Sequence, residues 1–178
     1  MRFIFLTLYN YIRFLEKKVK CRNMKINGIQ MLGVNSRLLF HKNSSVIIGK
    51  HCVSDGRFVI ITNIGAKLTI GNNVYFNENC MISCKGEISI GNGCKFGPNV
   101  NIIDNNHKFD RINGVSNEHT YGKINIGEHC WIGTNVVILK GTIIGRNSVI
   151  GAGCVVSGNI PENSIVTQNR KLKIERMK

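Results

Sequence analysis

The chain has 178 residues, a length that accommodates one domain, or one domain with an appendage. Hydrophobic residues make up 43% of it, charged residues 19%, and only two residues are prolines, which excludes a disordered chain. With 24 basic and 10 acidic residues the net charge is +14, which favours anionic partners such as phosphorylated cofactors, nucleic acid or acidic lipid.

The positive charge is concentrated at the two ends of the chain. Residues 1–25 hold seven basic residues and residues 168–178 hold five, and each stretch has one acidic residue. Because the body between them is nearly neutral by comparison, we expect no nucleic-acid partner.

The first predicted element is an amphipathic helix over the stretch FIFLTLYNYIRFLEKKVK. Its apolar residues recur at helical spacing from Phe3 to Leu15, and its end is rich in lysine. Asn10 and Arg13 interrupt an apolar run too short to span a bilayer, and no small-residue cleavage motif is present, so neither a transmembrane helix nor a signal peptide is expected. We expect residues 1–45 to form a basic capping segment, with contact to an anionic membrane surface as the alternative role.

A repeat of six residues governs the middle of the chain. An aliphatic residue stands at every sixth position from Ile126 to Val156, usually followed by glycine, and mostly small or β-branched residues come four places after each. This pattern is typical of parallel β-helices, in which the aliphatic side chain fills the axis and the glycine permits the bend. Three hexapeptides close one triangular turn, so we predict turns of 18 residues, the spacing between Ile126 and Ile144.

The same register extends towards the N-terminus with faults and one interruption. Two further groups of residues are in step with it, namely Ile64, Ile70, Phe76 and Ile82, and then Ile90, Phe96 and Ile102. The pattern stops between residues 104 and 123 and returns in phase at Ile126. Because a charged, asparagine-rich stretch cannot line an apolar axis, residues 104–123 are predicted to be a loop extruded from a β-helix of residues 46–166, followed by a basic tail, 167–178.

The cysteines follow the same register. Four places after an axis position, where a small apolar side chain fits the corner, stand Cys52, Cys80, Cys94, Cys130 and Cys154. No C-x-x-C motif occurs and the count is odd, so we expect neither disulfides nor structural zinc, and a reducing cytosol. Cys21 and Cys84 remain as candidate free thiols.

His107 is the histidine best placed for chemistry, because it lies where the repeat breaks, at the base of the extruded loop. His51 and His129 occupy variable positions of hexapeptides, whose side chains are expected to face solvent. His119 lies within the loop and is a weaker candidate for ligand contact. Asp104 either orients His107 or is a solvated loop carboxylate.

Three ordered runs accompany His107: IGNGCKFGPNV at 90–100, IGEHCWIG at 126–133 and IGRNSVIGAG at 144–153. Over about residues 47–165 the chain therefore resembles the hexapeptide-repeat acyltransferases, especially the sugar O-acetyltransferases of the maltose and galactoside acetyltransferase group. The resemblance implies a left-handed parallel β-helix, a homotrimer, and acetyl-CoA as the donor, bound in the groove between adjacent subunits.

The resemblance also assigns roles by position. His107 would be the general base that removes the proton of an acceptor hydroxyl as it attacks the thioester carbonyl. Asn77 matches a position near the acceptor and the oxyanion, with a turn residue that satisfies its own backbone as the alternative. Trp131 matches a tryptophan beside the CoA tunnel, or else an outward aromatic residue at a trimer interface. Positions that contact the pantetheine arm are matched by residues that are also ordinary in such repeats: Gly133, Thr134, Gly151 and Ala152.

The C-terminal end departs from the family pattern. The family has Thr-Lys after the last repeat and later a Gly-Asn-Pro-Ala-Lys run, whereas this chain has Ser157-Gly158 and then QNRKLK. We expect Arg170, Lys171 and Lys173 to meet the CoA phosphates by charge instead.

The leading hypothesis is an acetyl-CoA-dependent O-acetyltransferase acting on a sugar hydroxyl in capsular or surface polysaccharide biosynthesis, in the cytoplasm or at the inner face of the membrane. The alternative is an N-acetyltransferase of a nucleotide-linked amino sugar, which needs the same base and donor. Serine acetyltransferase fits less well, because its helical N-terminal domain is larger. A zinc hydratase of the γ-carbonic anhydrase type needs three converging histidines, and His107 lacks closely spaced partners, so no metal is expected. A non-catalytic, anion-binding β-helix is the remaining alternative.

Overall fold

The computed structural model of the protein describes residues 2–21 and 23–169. In this part of the chain one helix, α1 (Arg2–Lys20), precedes a series of short strands. The described residues contain no other α-helix, and α1 lacks the length and apolar content needed to cross a membrane.

The strands form three parallel sheets, which are the faces of a triangular prism. The first face contains β1 (Asn23–Ile26), β3 (Ser45–Ile48), β6 (Lys67–Ile70), β9 (Glu87–Ile90), β14 (Lys123–Ile126), β17 (Ile143–Ile144) and β20 (Asn159–Ile160). The second contains β4 (Val53–Ser54), β7 (Tyr75–Phe76), β10 (Lys95–Phe96), β15 (Trp131–Ile132), β18 (Val149–Ile150) and β21 (Ile165–Val166). The third contains β2 (Arg37–Leu39), β5 (Phe58–Thr62), β8 (Cys80–Cys84), β11 (Asn101–Ile103), β16 (Val137–Leu139) and β19 (Val155–Val156).

The chain visits the three faces in rotation, and from β3 to β19 each turn of the prism contributes one strand to each sheet. This confirms the predicted parallel β-helix. It begins at Asn23, ahead of the predicted start at residue 46, since β1 pairs in parallel with β3. The segment between those strands has no hexapeptide repeat, so the sequence did not indicate that it forms a turn of the β-helix.

The turns differ in length from the uniform 18 residues expected. Ile126 pairs with Ile144 at that spacing, but Ile70 pairs with Ile90 after 20 residues and Ile48 pairs with Ile70 after 22. The additional residues lengthen the strands of the third face, where β5 and β8 have five residues and β16 has three. Longer turns are the physical reason for the phase slips in the repeat.

Inward side chains of successive turns form one continuous core. Phe58, Phe76 and Phe96 stack within it, with neighbouring ring centroids 4.2 and 4.7 Å apart. Ile64, which the six-residue register places on the axis, is instead 62% exposed, because it lies at a corner where Ile60 has already filled the axis. All seven cysteines are buried free thiols.

The corners between the first and second faces require a left-handed backbone conformation. His51 and His129 adopt a φ of 56° there, as do Asn73 and Asn147 on other turns. Asparagine and histidine tolerate this conformation better than most residues. The side chains of both histidines are exposed, as expected, and their position is explained by the turn alone.

The extruded segment is an antiparallel hairpin, not an irregular loop. It consists of β12 (Asn105–Asp110) and β13 (Gly114–Tyr121) and leaves the prism at the corner between the third and first faces. Charged and asparagine side chains do not prevent strand pairing here, because both faces of the hairpin are largely solvent-exposed.

Candidate active site

The base of the hairpin is fixed by a buried carboxylate. Asp104 is fully buried, and its Oδ1 and Oδ2 accept hydrogen bonds from the backbone N–H groups of Lys85 and Gly86 at 2.8 and 2.7 Å. Its backbone carbonyl accepts from Gly122 N–H at 2.8 Å, where the hairpin returns to the prism. Asp104 is therefore neither solvated nor a described partner of His107, and its role is to close the corner.

His107 lies on β12, and its side chain is exposed. Its Nδ1 is 3.2 Å from the backbone carbonyl oxygen of Ser116 across the hairpin. A carbonyl oxygen only accepts hydrogen bonds, so Nδ1 carries the proton of the neutral imidazole. Nε2 is then left with a free lone pair, which is the form of histidine that can act as a general base.

The ring of His119 packs on the ring of His107. The two residues face each other in the hairpin register, and their ring centroids are 4.2 Å apart at an angle of 42°. Desolvation is the first cause that lowers the pKa of the half-buried His119, and the positive charge of Lys85, with that of the His107 ring when it is protonated, lowers it further. A lowered pKa keeps this imidazole neutral around pH 7.

One salt bridge and one hydrogen bond hold the hairpin strands in place on either side of the histidine pair. Lys108 Nζ bridges Glu118 at 2.5 Å between β12 and β13, and Lys140 Nζ donates to Thr120 Oγ1 at 2.8 Å from the prism. The sequence showed His119 only as a loop residue. Its pairing with His107 depends on the hairpin register, for which the sequence offered no signal.

The other predicted site residues lie along a different edge, the corner between the second and third faces. Asn77 follows β7, Gly133 and Thr134 follow β15, and Gly151 and Ala152 follow β18, three strands of one sheet in which β10 separates β7 from β15. Trp131, on β15 of the same face, has a side chain that is 58% exposed. The structure thus groups six of the predicted residues on one edge.

Local geometry explains part of this edge without a ligand. Asn77 Oδ1 accepts from the backbone N–H of Glu78 at 2.7 Å, the turn role given as its alternative. Its Nδ2 remains the group able to donate to a ligand. A Cβ added at Gly133 would lie 2.8 Å from Ala152 N, so close packing of successive turns alone requires glycine there.

His107 and Asn77 lie at opposite edges of the third face in a single chain. The five-residue strand β8 spans that face, so at about 3.3 Å per residue the two edges are on the order of 15 Å apart. One chain alone does not bring the predicted base and the predicted oxyanion donor together. The remaining predicted residues, Arg170, Lys171 and Lys173, lie outside the described residues.

A groove with acidic residues adjoins the Asn77 edge. It runs between α1 and the first turns of the prism, with Leu6 and Val34 on one side and Asp55 and Glu78 on the other. Asp55 also accepts a hydrogen bond from the hydroxyl of Tyr75, which raises the pKa of Tyr75 to about 12. Among the described residues no three His, Cys, Asp or Glu side chains are grouped so that they could hold a metal ion.

Comparisons with known proteins find the same repeat and fold. The family described as bacterial transferase hexapeptide (six repeats) matches residues 123–158. The galactoside O-acetyltransferase of Lactococcus lactis is 35% identical over 119 residues, which are 66% of this chain and 56% of that protein.

Two solved structures are similar as well. The maltose O-acetyltransferase of Clostridium difficile 630 matches with a TM-score of 0.53 and 28% identity, over 81% of this chain and 65% of that one. A galactoside acetyltransferase in complex with coenzyme A matches with a TM-score of 0.51 and 26% identity, over 86% and 65%.

This chain spans about half the length of the curated relatives it matches, 56% and 49% for two of them. The family match lies within the β-helix, at residues 123–158. The chain therefore carries a hexapeptide repeat and resembles the galactoside and maltose O-acetyltransferases.

Proposed function

We propose that the protein is an acetyl-CoA-dependent O-acetyltransferase that acts on a saccharide hydroxyl. The observation that carries the proposal is the state of His107, an exposed imidazole whose Nδ1–H donates to Ser116 O and whose Nε2 is free to accept a proton. The similar galactoside and maltose O-acetyltransferases support the choice of donor and acceptor class.

In the proposed reaction Nε2 of His107 takes the proton of the acceptor hydroxyl while the oxygen attacks the thioester carbonyl carbon. The new C–O bond forms a tetrahedral intermediate whose negative charge is stabilised by a donated hydrogen bond, for which Asn77 Nδ2 is the candidate. The C–S bond then breaks, and the imidazolium returns its proton to the CoA thiolate. No covalent acyl-enzyme is required, and His107 ends in its starting state.

The opposite positions of His107 and Asn77 support a homotrimer with its sites between subunits. If one subunit supplies the hairpin and its neighbour supplies the Asn77 edge, each interface forms one complete site. On that neighbour, we propose that Trp131, Gly133, Thr134, Gly151 and Ala152 border the pantetheine arm and that Arg170 and Lys171 meet the CoA phosphates.

For the acceptor, we propose the groove that contains Asp55 and Glu78. Carboxylate oxygens accept hydrogen bonds from sugar hydroxyls, and the groove adjoins the edge that carries Asn77. We further propose that the acceptor belongs to capsular or surface polysaccharide biosynthesis and that the enzyme works in the cytoplasm, at the inner face of the membrane.

The proposal is tested by thiol release from acetyl-CoA with a panel of sugars and nucleotide sugars, comparing the wild type with His107→Ala. We expect turnover with a hydroxyl acceptor and a loss of about 10²- to 10⁴-fold in the variant. Turnover restricted to amino sugars would favour the N-acetyltransferase alternative. A folded His107→Ala variant that keeps full activity would show that His107 is not the base.

A further inference from the structure

The helix α1 presents an apolar surface to solvent. Its outward residues recur at intervals of three and four and form one continuous stripe along the helix. Their exposed fractions range from 48% at Leu15 to 83% at Val19. This outer stripe consists of Ile4, Phe5, Leu8, Tyr11, Ile12, Leu15 and Val19.

The opposite side of α1, which caps the first turn of the β-helix, is more polar than the outer stripe. Asn10 is buried there and donates to Leu32 O at 2.8 Å, and the Arg13 guanidinium donates to Ser36 O. Thr7 Oγ1 and Asn10 Oδ1 are buried without a hydrogen-bond partner among the described residues. Phe14 is the buried apolar residue of this side and joins the core, but a capping helix normally turns its more apolar side to its own protein, whereas α1 exposes it.

Positive charge borders the outer stripe. Lys18 lines the same groove as Tyr11 and Leu15, and Lys20 and Lys42 lie together beside Val19. The only acidic residue of α1 is Glu16, which is paired with Lys17 and Lys20. The stripe therefore has an excess of cations on its flank.

We infer that the outer stripe of α1 docks on an anionic lipid bilayer. An apolar helical face edged with lysines lies in the plane of a membrane interface, with its side chains among the acyl chains and its ammonium groups at the anionic headgroups. The inference deepens the proposed location at the membrane and does not depend on the proposed reaction.

The geometry favours a planar partner over a second copy docked end to end. In a cyclic trimer every subunit presents the same end to the same side, so three stripes would contact one surface together. The cationic flanks would repel one another between two such ends but are attracted by anionic headgroups.

Docking would also set the height of the proposed base above the lipid. The hairpin leaves the fourth turn of the prism, three strand spacings from the turn that α1 caps. At about 4.8 Å per spacing, His107 would lie on the order of 15 Å above the capped end. The helix lies between that end and the lipid and adds about its own diameter, roughly 10 Å, so the acceptor saccharide must extend that much further from the membrane surface.

The test is co-sedimentation of the full chain with phosphatidylcholine vesicles that contain or lack phosphatidylglycerol. We expect binding to the anionic vesicles that weakens as salt is raised. The double variant Leu8→Glu/Ile12→Glu should reduce the partition coefficient at least about tenfold, because it removes two apolar contacts and adds two negative charges. Lys18→Gln/Lys20→Gln should reduce binding to anionic vesicles about tenfold and remove most of the preference for them.

The matched control is Ile112→Glu/Val115→Glu, which makes the same change at two apolar residues of the hairpin that are 93% and 72% exposed. It should bind vesicles as the wild type does. No binding by the wild type, or equal binding by the Leu8→Glu/Ile12→Glu variant, would overturn the inference.

Thiol release from acetyl-CoA with a soluble acceptor separates docking from catalysis. The two α1 double variants should keep the wild-type rate in this assay. If those variants instead lowered the molecular mass in light scattering while the wild type ignored vesicles, the stripe would be an interface between copies.

Discussion

At the scale of single residues, the contact between His107 and His119 decides how the proposed base is held. The Ser116 carbonyl fixes the tautomer of His107, and the His119 ring limits where the imidazole can turn. His119 touches neither donor nor acceptor in this account, so it is a positioning residue.

Replacing His119 with alanine should lower kcat about tenfold while the KM for acetyl-CoA stays unchanged, because the base loses its orientation and the donor keeps its contacts. Phenylalanine at the same position retains a ring against His107 and should restore most of the rate. Steady-state kinetics with both variants check this. A phenylalanine variant as slow as the alanine variant would show that the nitrogen atoms of His119, not its packing, are required.

The charge of Lys85 is predicted to act on His119. Because a neighbouring cation disfavours imidazolium, Lys85→Gln should raise the pKa of His119. The rise should be partial, since desolvation is the larger cause of the lowered pKa. Histidine NMR titration measures the rise directly. An unchanged His119 titration would contradict the proximity of the two charges.

At the scale of elements, the hairpin depends on Asp104. Replacing Asp104 with alanine leaves the N–H groups of Lys85 and Gly86 without an acceptor at the corner, which should lower the free energy of unfolding by about 2–4 kcal/mol. Chemical denaturation measures the loss. Asp110→Ala, which removes an exposed carboxylate at the hairpin tip, is the matched control and should change stability little. Equal effects of the two variants would rule out a special role for the buried carboxylate.

The elements also show what the sequence can reveal about this fold. The β-helix was predictable because each inward position must be apolar, so packing leaves a six-residue period in the sequence. The first turn was not predictable, because residues 27–44 carry no hexapeptide register. The hairpin was not predictable either, because its strands are exposed on both sides and leave no apolar pattern. The helix was predicted, but the direction of its apolar face was not, because an amphipathic pattern does not state which side meets the protein.

The candidate site could be proposed from the sequence only in part. His107, Asn77 and Trp131 were identifiable by resemblance to acetyltransferase motifs. Their division between two edges of the prism was not, because it depends on the face on which each turn places them. The role of Asp104 was also missed, since a carboxylate in a charged stretch gives no sign of burial.

At the scale of the whole molecule, the central claim is that a complete site needs two subunits. His107 lies at one edge of the third face and the Asn77 edge at the other, so the proposed chemistry requires a neighbouring copy. Variants that damage different edges should then complement each other, which two lesions within one self-contained site would not do.

The most direct measurement mixes the His107→Ala and Asn77→Ala proteins after denaturation and refolding together, and follows thiol release from acetyl-CoA with an active acceptor. Each variant alone should be strongly impaired. In a random equal mixture about a quarter of the interfaces combine an intact hairpin with an intact Asn77 edge, so about a quarter of the wild-type activity should return. A refolded mixture no more active than the average of the two separate variants would contradict a site shared between subunits.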